Sequence, residues 1–213
     1  MNCPHPALCA LLPMSLSLLL AATCHAGDGA EALSPRVYRT FMPEAGPSAF
    51  AVELSPGVSL CYDPLRGGIN QIWAGGVDLS PTFQAKINKP AKPPGRPFYT
   101  EHLLHPLRLG EAAADPGHRF KGYRYEKNMV VFEFTLHGLP VTESLRLSQD
   151  GHGVVRTFTL PAGGGPAFLT VEPQENATVT LEGGTEVTPG KWRFAEGSLF
   201  TVRISPASDI LTK

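Results

Sequence analysis

The chain has 213 residues, 18 lysines and arginines against 19 aspartates and glutamates, and a formal net charge of −1. That balance argues against a nucleic-acid partner or a polybasic membrane contact, both of which need a surplus of cations. With 22 glycines, 21 prolines and 17% charged residues, the composition suits an all-β protein rich in turns.

The chain opens on an apolar stretch from Leu8 to Ala22, short for a bilayer span, and Cys24-His25-Ala26 puts small residues at the −3 and −1 positions of a cleavage site. Residues 1–26 therefore read as a signal peptide cut after Ala26, which implies a secreted or periplasmic location. A lipid anchor at Cys24 is the weaker alternative, because Ala21-Ala22-Thr23 makes a poor lipobox. No other segment reads as a membrane span. Cys3, Cys9 and Cys24 all fall in the leader. The rest of the chain keeps Cys61 alone, so stability must come from a core and not from disulfides.

After a flexible lead over residues 27–35, Arg36 to Phe41 reads as a short strand and Met42 to Ser48 as a turn. Phe50, Val52 and Leu54 alternate, Ser55-Pro56-Gly57 turns, and Val58, Leu60 and Tyr62 alternate back. A turn over Asp63–Gly68 leads into Ile69–Trp73 and completes a meander. Lys86 to Pro97 carries so many prolines that it is expected as an exposed polyproline-like loop outside any sheet. Phe98 to Leu109 is irregular apart from a strand near Leu107, and Glu111–Gly117 reads as a surface turn.

Arg119 to Leu160 carries the densest pattern. A two-residue loop at Lys127-Asn128 sets Tyr125 opposite Val130 and Tyr123 opposite Phe132. A loop centred on Gly138-Leu139 would pair Leu136 with Val141, Phe132 with Leu145 and Val130 with Leu147. One centred on Asp150-Gly151 pairs Leu147 with Val154 and Leu145 with Arg156. These turns put Tyr123, Tyr125, Val130, Phe132, Phe134, Leu136, Val141, Leu145, Leu147, Val154, Phe158 and Leu160 on one face of a four-stranded meander. At about 1.5–3 kcal/mol per buried large side chain, that face offers on the order of 20–35 kcal/mol of gross burial. Chain entropy cancels most of it, so a second layer must cover the face. The other face, with Val131, Glu133, Arg146 and Val155, is mixed and tolerable in water.

Glu143 and Arg156 break the pattern, pointing at the apolar face from neighbouring strands as a diagonal pair. A lone buried charge is too costly, so the two must pair or line a polar pocket. Past the meander, Ala167–Glu172, Ala177–Glu182, Lys191–Ala195 and Leu199–Ser205 read as further short strands. The expected fold is all-β, a two-sheet antiparallel β-sandwich of jelly-roll or supersandwich type with about nine to twelve strands. It forms a single domain over residues 36–205, with a tail over 206–213.

No phosphate loop, dinucleotide fingerprint, nucleophile elbow, zinc-protease helix or haem-attachment motif occurs, so no cofactor and no catalytic set is expected. Glu101, His102 and His105 form the best metal-like cluster; two histidines three apart converge on a helix, but Pro106 follows immediately and the local pattern is not helical, which argues against convergence and for loop histidines. Cys61 reads as a small side chain filling a sheet layer. Glu53, Asp63, Asp78, Glu101 and Glu143 are the carboxylates available for acid–base work, and no spacing pairs any two. Trp73, Trp192, Tyr62, Tyr99 and Phe98 are candidates for a sugar-stacking surface, with Asp78 or Asn70 to bind hydroxyls; the competing role for such aromatics is the core.

Several short stretches together resemble one family. Arg39-Thr-Phe-Met-Pro-Glu-Ala-Gly-Pro47, Ala49-Phe-Ala-Val52, Gly57-Val-Ser-Leu-Cys-Tyr-Asp63, Ile72-Trp-Ala-Gly-Gly76, Pro106-Leu-Arg-Leu-Gly110 and Phe120-Lys-Gly-Tyr-Arg124 resemble a module of secreted bacterial proteins. That module is found beside c-type cytochrome domains and sorbosone-dehydrogenase-like propellers, which use a quinone cofactor. The resemblance spans roughly residues 36–160 and implies periplasm or cell surface, near oxidative sugar or alcohol metabolism. It brings no catalytic residues, and this chain has no cytochrome segment.

The expected function is therefore a non-catalytic exported binding module. Its ligand would be carbohydrate-like, or its partner a c-type cytochrome or quinone-dependent dehydrogenase. The candidate ligand-binding residues are Trp73, Asp78, Glu101, His102, His105, Glu143, Arg156 and Trp192. The alternatives are a carbohydrate-active enzyme with a carboxylate site and a structural cell-envelope protein.

Overall fold

The computed structural model describes residues 34–84, 89–110 and 116–208. The signal peptide, Cys24, residues 27–33 of the lead and 111–115 of the expected surface turn lie outside these residues. Among the described residues the chain is built from strands and one five-residue helix. In order they are β1 (Arg36–Arg39), β2 (Phe50–Ser55), β3 (Val58–Asp63), β4 (Gly68–Ala74), α1 (Ser80–Gln84), β5 (Tyr99–Thr100), β6 (Leu107–Leu109) and β7 (Arg119–Glu126). Then come β8 (Met129–Leu136), β9 (Leu139–Leu147), β10 (Val154–Thr159), β11 (Ala167–Thr170), β12 (Ala177–Glu182), β13 (Thr185–Thr188), β14 (Lys191–Phe194) and β15 (Leu199–Pro206).

The strands form an antiparallel sandwich with a divided layer. One layer is a six-stranded sheet in the order β12-β15-β10-β9-β8-β7. Facing it are a five-stranded sheet, β1-β2-β3-β4-β5, and a four-stranded one, β13-β14-β11-β6. All three share one core, with Tyr62 stacked on Phe132 at 3.7 Å and Phe194 on Phe200 at 3.6 Å. The two-layer expectation holds, but the covering layer is split because β6, β11, β13 and β14 are only three or four residues long.

The expected meander is there as β7 to β10, with one hairpin displaced. The β8–β9 loop is His137-Gly138, not Gly138-Leu139, so Leu136 meets Leu139, Phe132 meets Glu143 and Val130 meets Leu145. His137 and Gly138 have φ of 50° and 82°, the left-handed pair that a tight two-residue hairpin requires. A slip of two residues keeps every side chain on its expected face. The β9–β10 register is as expected, with Leu147 opposite Val154 and Leu145 opposite Arg156.

Four other expectations need correction. Tyr123 and Tyr125 share the apolar face but are 38% and 52% exposed, because β7 is the edge strand and overhangs the covering sheet. On the opposite face Val131 and Val155 are buried, flanked by Arg124 and by Arg146 and Arg203, whose aliphatic stems can shield them. The proline-rich loop does pair, since Asp78 and Lys92 exchange backbone hydrogen bonds of 3.1 and 3.0 Å. Finally, Pro206 belongs to β15 opposite Ala177, so the last strand runs one residue into the expected tail.

That paired loop explains why β3 and β4 are buried on both sides. Met42, Ala49 and Ala91 cover the outer face of the five-stranded sheet, where Ala51, Cys61 and Trp73 form a second, smaller cluster. Cys61 fills its layer as expected, and burial pushes its thiol well above its ordinary pKa.

Candidate functional site

The polar residues of greatest consequence lie between the layers. Arg156 is 3% exposed and Glu143 fully buried, and Arg156 Nε donates to Glu143 Oε1 at 2.7 Å. Sequence parity alone places them: β9 and β10 are paired so that Glu143 faces Phe158, one step along the ladder from Arg156. The Tyr62 hydroxyl from the covering sheet donates to Glu143 Oε2 at 3.3 Å, and the guanidinium lies over the Phe158 ring at 5.0 Å. Burial opposes the charge on Arg156, but Glu143 and the phenol oxygens of Tyr99 and Tyr62 outweigh it and hold its pKa above the ordinary value. Burial likewise raises the Tyr62 hydroxyl, and Glu143 adds to the effect. Gly68 lies close beside this pair: a Cβ there would sit 3.2 Å from Arg156 Nη2, so the guanidinium would have to give by a few tenths of an ångström.

A second carboxyl, Glu101, sits just past β5. It is 3% exposed, takes the Tyr99 hydroxyl on Oε2 at 3.1 Å and accepts the Leu103 amide on Oε1 at 3.0 Å. Burial raises its pKa, its own hydrogen bonds from Leu103 and Tyr99 and the charge of Arg156 work against that, and a hydrogen bond with the Glu172 carboxyl adds to it. Glu172, just beyond β11, accepts the His102 amide on Oε2 at 2.8 Å. Gln174 then ties both backbone groups of Thr100, accepting its N–H at 3.2 Å and donating to its carbonyl at 2.9 Å.

Two adjoining hollows open outward here, one at the seam between the two covering sheets and the other between the four-stranded sheet and β12 of the six-stranded sheet. One, of about 330 Å³, is lined by Phe98, Thr100, His102, Glu172 and Gln174 among others. Its neighbour, of about 370 Å³, is lined by Trp192, Val179, Leu181, Glu186, Glu172 and Gln174 among others. They share Glu172, Pro173 and Gln174. Trp192 is half-buried, resting its indole on the core while lining the hollow.

The expected site residues thus separate. His102, Trp192 and, one hydrogen bond beneath, Glu101 belong to the seam; Glu143 and Arg156 form a buried ion pair behind it. Trp73 is fully buried in the outer cluster with Nε1 donating to the Gly76 carbonyl at 2.7 Å, so it presents no surface to a sugar. Asp78 is exposed and local: its Oδ1 accepts the Ser80 amide at 2.9 Å and the Ser80 hydroxyl, and those bonds lower its pKa. His105 turns away to stack beside His118, with ring centres 5.1 Å apart. Burial and that neighbour lower the His118 pKa to about 4.

No three His, Cys, Asp or Glu side chains among the described residues converge as a metal site. Tyr62 and Tyr99 are core residues, not stacking platforms. Glu172, Gln174 and Glu186 were not foreseen. Glu172 meets the 101–103 loop across some 70 residues, a separation that leaves no local signal. No family model, curated protein or solved structure matches the chain.

Proposed function

We propose that this chain is a non-catalytic binding module that takes a carbohydrate-like ligand along the seam from Phe98 and His102 past Glu172 and Gln174 to Trp192. The observation that carries the reading is the Trp192 indole, which lines a hollow together with two carboxylates and an amide. An aromatic face receives the apolar face of a sugar ring, and carboxylate and amide oxygens accept its hydroxyls.

In this reading the module is exported and works beside oxidative sugar or alcohol metabolism, with a c-type cytochrome or quinone-dependent dehydrogenase as neighbour, as its resemblance implies. Titration calorimetry against a panel of neutral and acidic oligosaccharides tests it. At least one sugar should bind, and Trp192→Ala should weaken it by roughly tenfold or more, the ~1–3 kcal/mol that a lost aromatic contact costs. Unchanged binding in Trp192→Ala, or no binding anywhere in the panel, overturns the proposal.

A further inference from the structure

The two hollows carry charge of one sign. Glu172, Glu175 and Glu186 line them, and among the described residues neither has a lysine or arginine in its wall. The hollow of Trp192 has no histidine there either. Strand parity produces this. Along β14, Trp192 turns to the core side and into its hollow, while Lys191 turns to the opposite face, its ammonium 5.0 Å from the centre of the Phe168 ring. Arg193, two residues on and opposite Thr185, shares the face of Lys191. The sheet thus separates the cations of β14 from the carboxylates beside its tryptophan.

Glu186 and Trp192 are direct cross-strand partners, which sets their Cβ atoms about 5 Å apart on one face. Backbone amides aim two of the carboxylates: Glu186 Oε1 accepts the Gly190 N–H at 2.8 Å, and Glu172 Oε2 accepts the His102 N–H at 2.8 Å. A cation over an indole face is drawn by the ring quadrupole, and carboxylates on the rim add to the same attraction. The carboxylates do not converge as a metal site, so the cation they suit is an organic one that the indole can share. We infer that the hollow of Trp192 selects a sugar carrying a protonated amine, seated over the indole beside Glu186 and Glu172. This rests on the hollow being a sugar site and names the class of sugar. A neutral sugar keeps the stacking contact and binds more weakly, and a uronate is repelled by the same carboxylates.

Titration calorimetry of the full chain tests the selection at about pH 6, where an ordinary glutamate is ionised and an aliphatic amine protonated. The probes are a glucosamine oligomer, the glucose oligomer of the same linkage and length, and a glucuronate oligomer. At low salt the glucosamine oligomer should bind about tenfold tighter than the glucose oligomer, an advantage that shrinks as salt is added, and the glucuronate oligomer should bind weakest. Glu186→Gln, at an exposed position, should remove much of the advantage and leave the glucose oligomer's affinity within about twofold. Equal affinity for the glucosamine and glucose oligomers, or an advantage that survives Glu186→Gln in full, overturns the selection and leaves the sugar site standing. If no oligomer binds, the sugar site falls, and tetramethylammonium at constant ionic strength decides the cation site by itself. A shift of the Trp192 indole resonance that Glu186→Gln abolishes upholds that site, and no shift overturns it.

Discussion

Arg156 and Glu143 cross-link two strands of one sheet deep inside the sandwich, and Tyr62 ties the pair to the opposite layer. Removing one partner leaves an uncompensated charge in the core, whereas removing both leaves an apolar face. Arg156→Leu should therefore cost about 3–5 kcal/mol in chemical denaturation, and Glu143→Leu with Arg156→Leu much less. Equal losses in the two variants would show that the pair is not buried as a pair. His118 makes a second statement at this scale. Its folded pKa of about 4 lies below the ordinary ~6.5, so the folded state takes up fewer protons than the unfolded chain in that window. Stability from this group is complete above pH ~6.5 and is lost as pH falls toward 4. Glu101, raised by burial, acts in the opposite sense, its contribution being lost as pH rises through its folded pKa. The difference between wild type and His118→Gln isolates the histidine: between about pH 7 and 4.5 the variant should lose less of its melting temperature.

At the scale of elements, the hairpins show what a sequence pattern can and cannot settle. Face assignment along β8, β9 and β10 was legible because the turn positions fixed side-chain parity, and parity survived a two-residue displacement. The pairing itself was not legible at the β8–β9 turn, since His-Gly is a less familiar tight-turn pair than Asn-Gly and Gly138 could serve either of two loops. Gly138 has φ 82° with open space around its would-be Cβ, so only backbone conformation resists substitution there. Gly138→Ala should cost about 1–2 kcal/mol. Gly153→Ala should cost more, because its Cβ would fall 2.4 Å from the Ile204 carbonyl of β15. Equal denaturation midpoints for the two variants would contradict these assignments. β13 escaped the reading altogether: Thr185 to Thr188 is exposed throughout, and a strand with no buried side gives no alternation to detect.

For the molecule as a whole, the proposed function makes the two tryptophans divide stability from binding. Trp73→Ala removes a fully buried indole from the outer cluster and should cost about 3–5 kcal/mol. Trp192→Ala should leave the thermal transition within a few degrees and change ligand binding instead. A melting loss for Trp192→Ala as large as that for Trp73→Ala would make Trp192 a core residue. The sandwich was readable because large apolar faces in two meanders demand each other. The seam was not, since it joins His102 and Thr100 to Glu172 and Gln174 from a distant stretch of chain, where nothing local marks the meeting. Trp73 and Trp192 look alike in sequence, and only the cover supplied by Met42, Ala49 and Ala91 separates them.

The placement of β15 bears on biosynthesis. It lies between β10 and β12, six residues paired on each side, so the six-stranded sheet is bridged by a strand made after all of its other strands. Until Pro206 has emerged, a nascent chain carries the meander with the hydrogen-bonding rim of β10 unfilled and Phe158 lacking the ring of Phe200. Such a rim invites other chains.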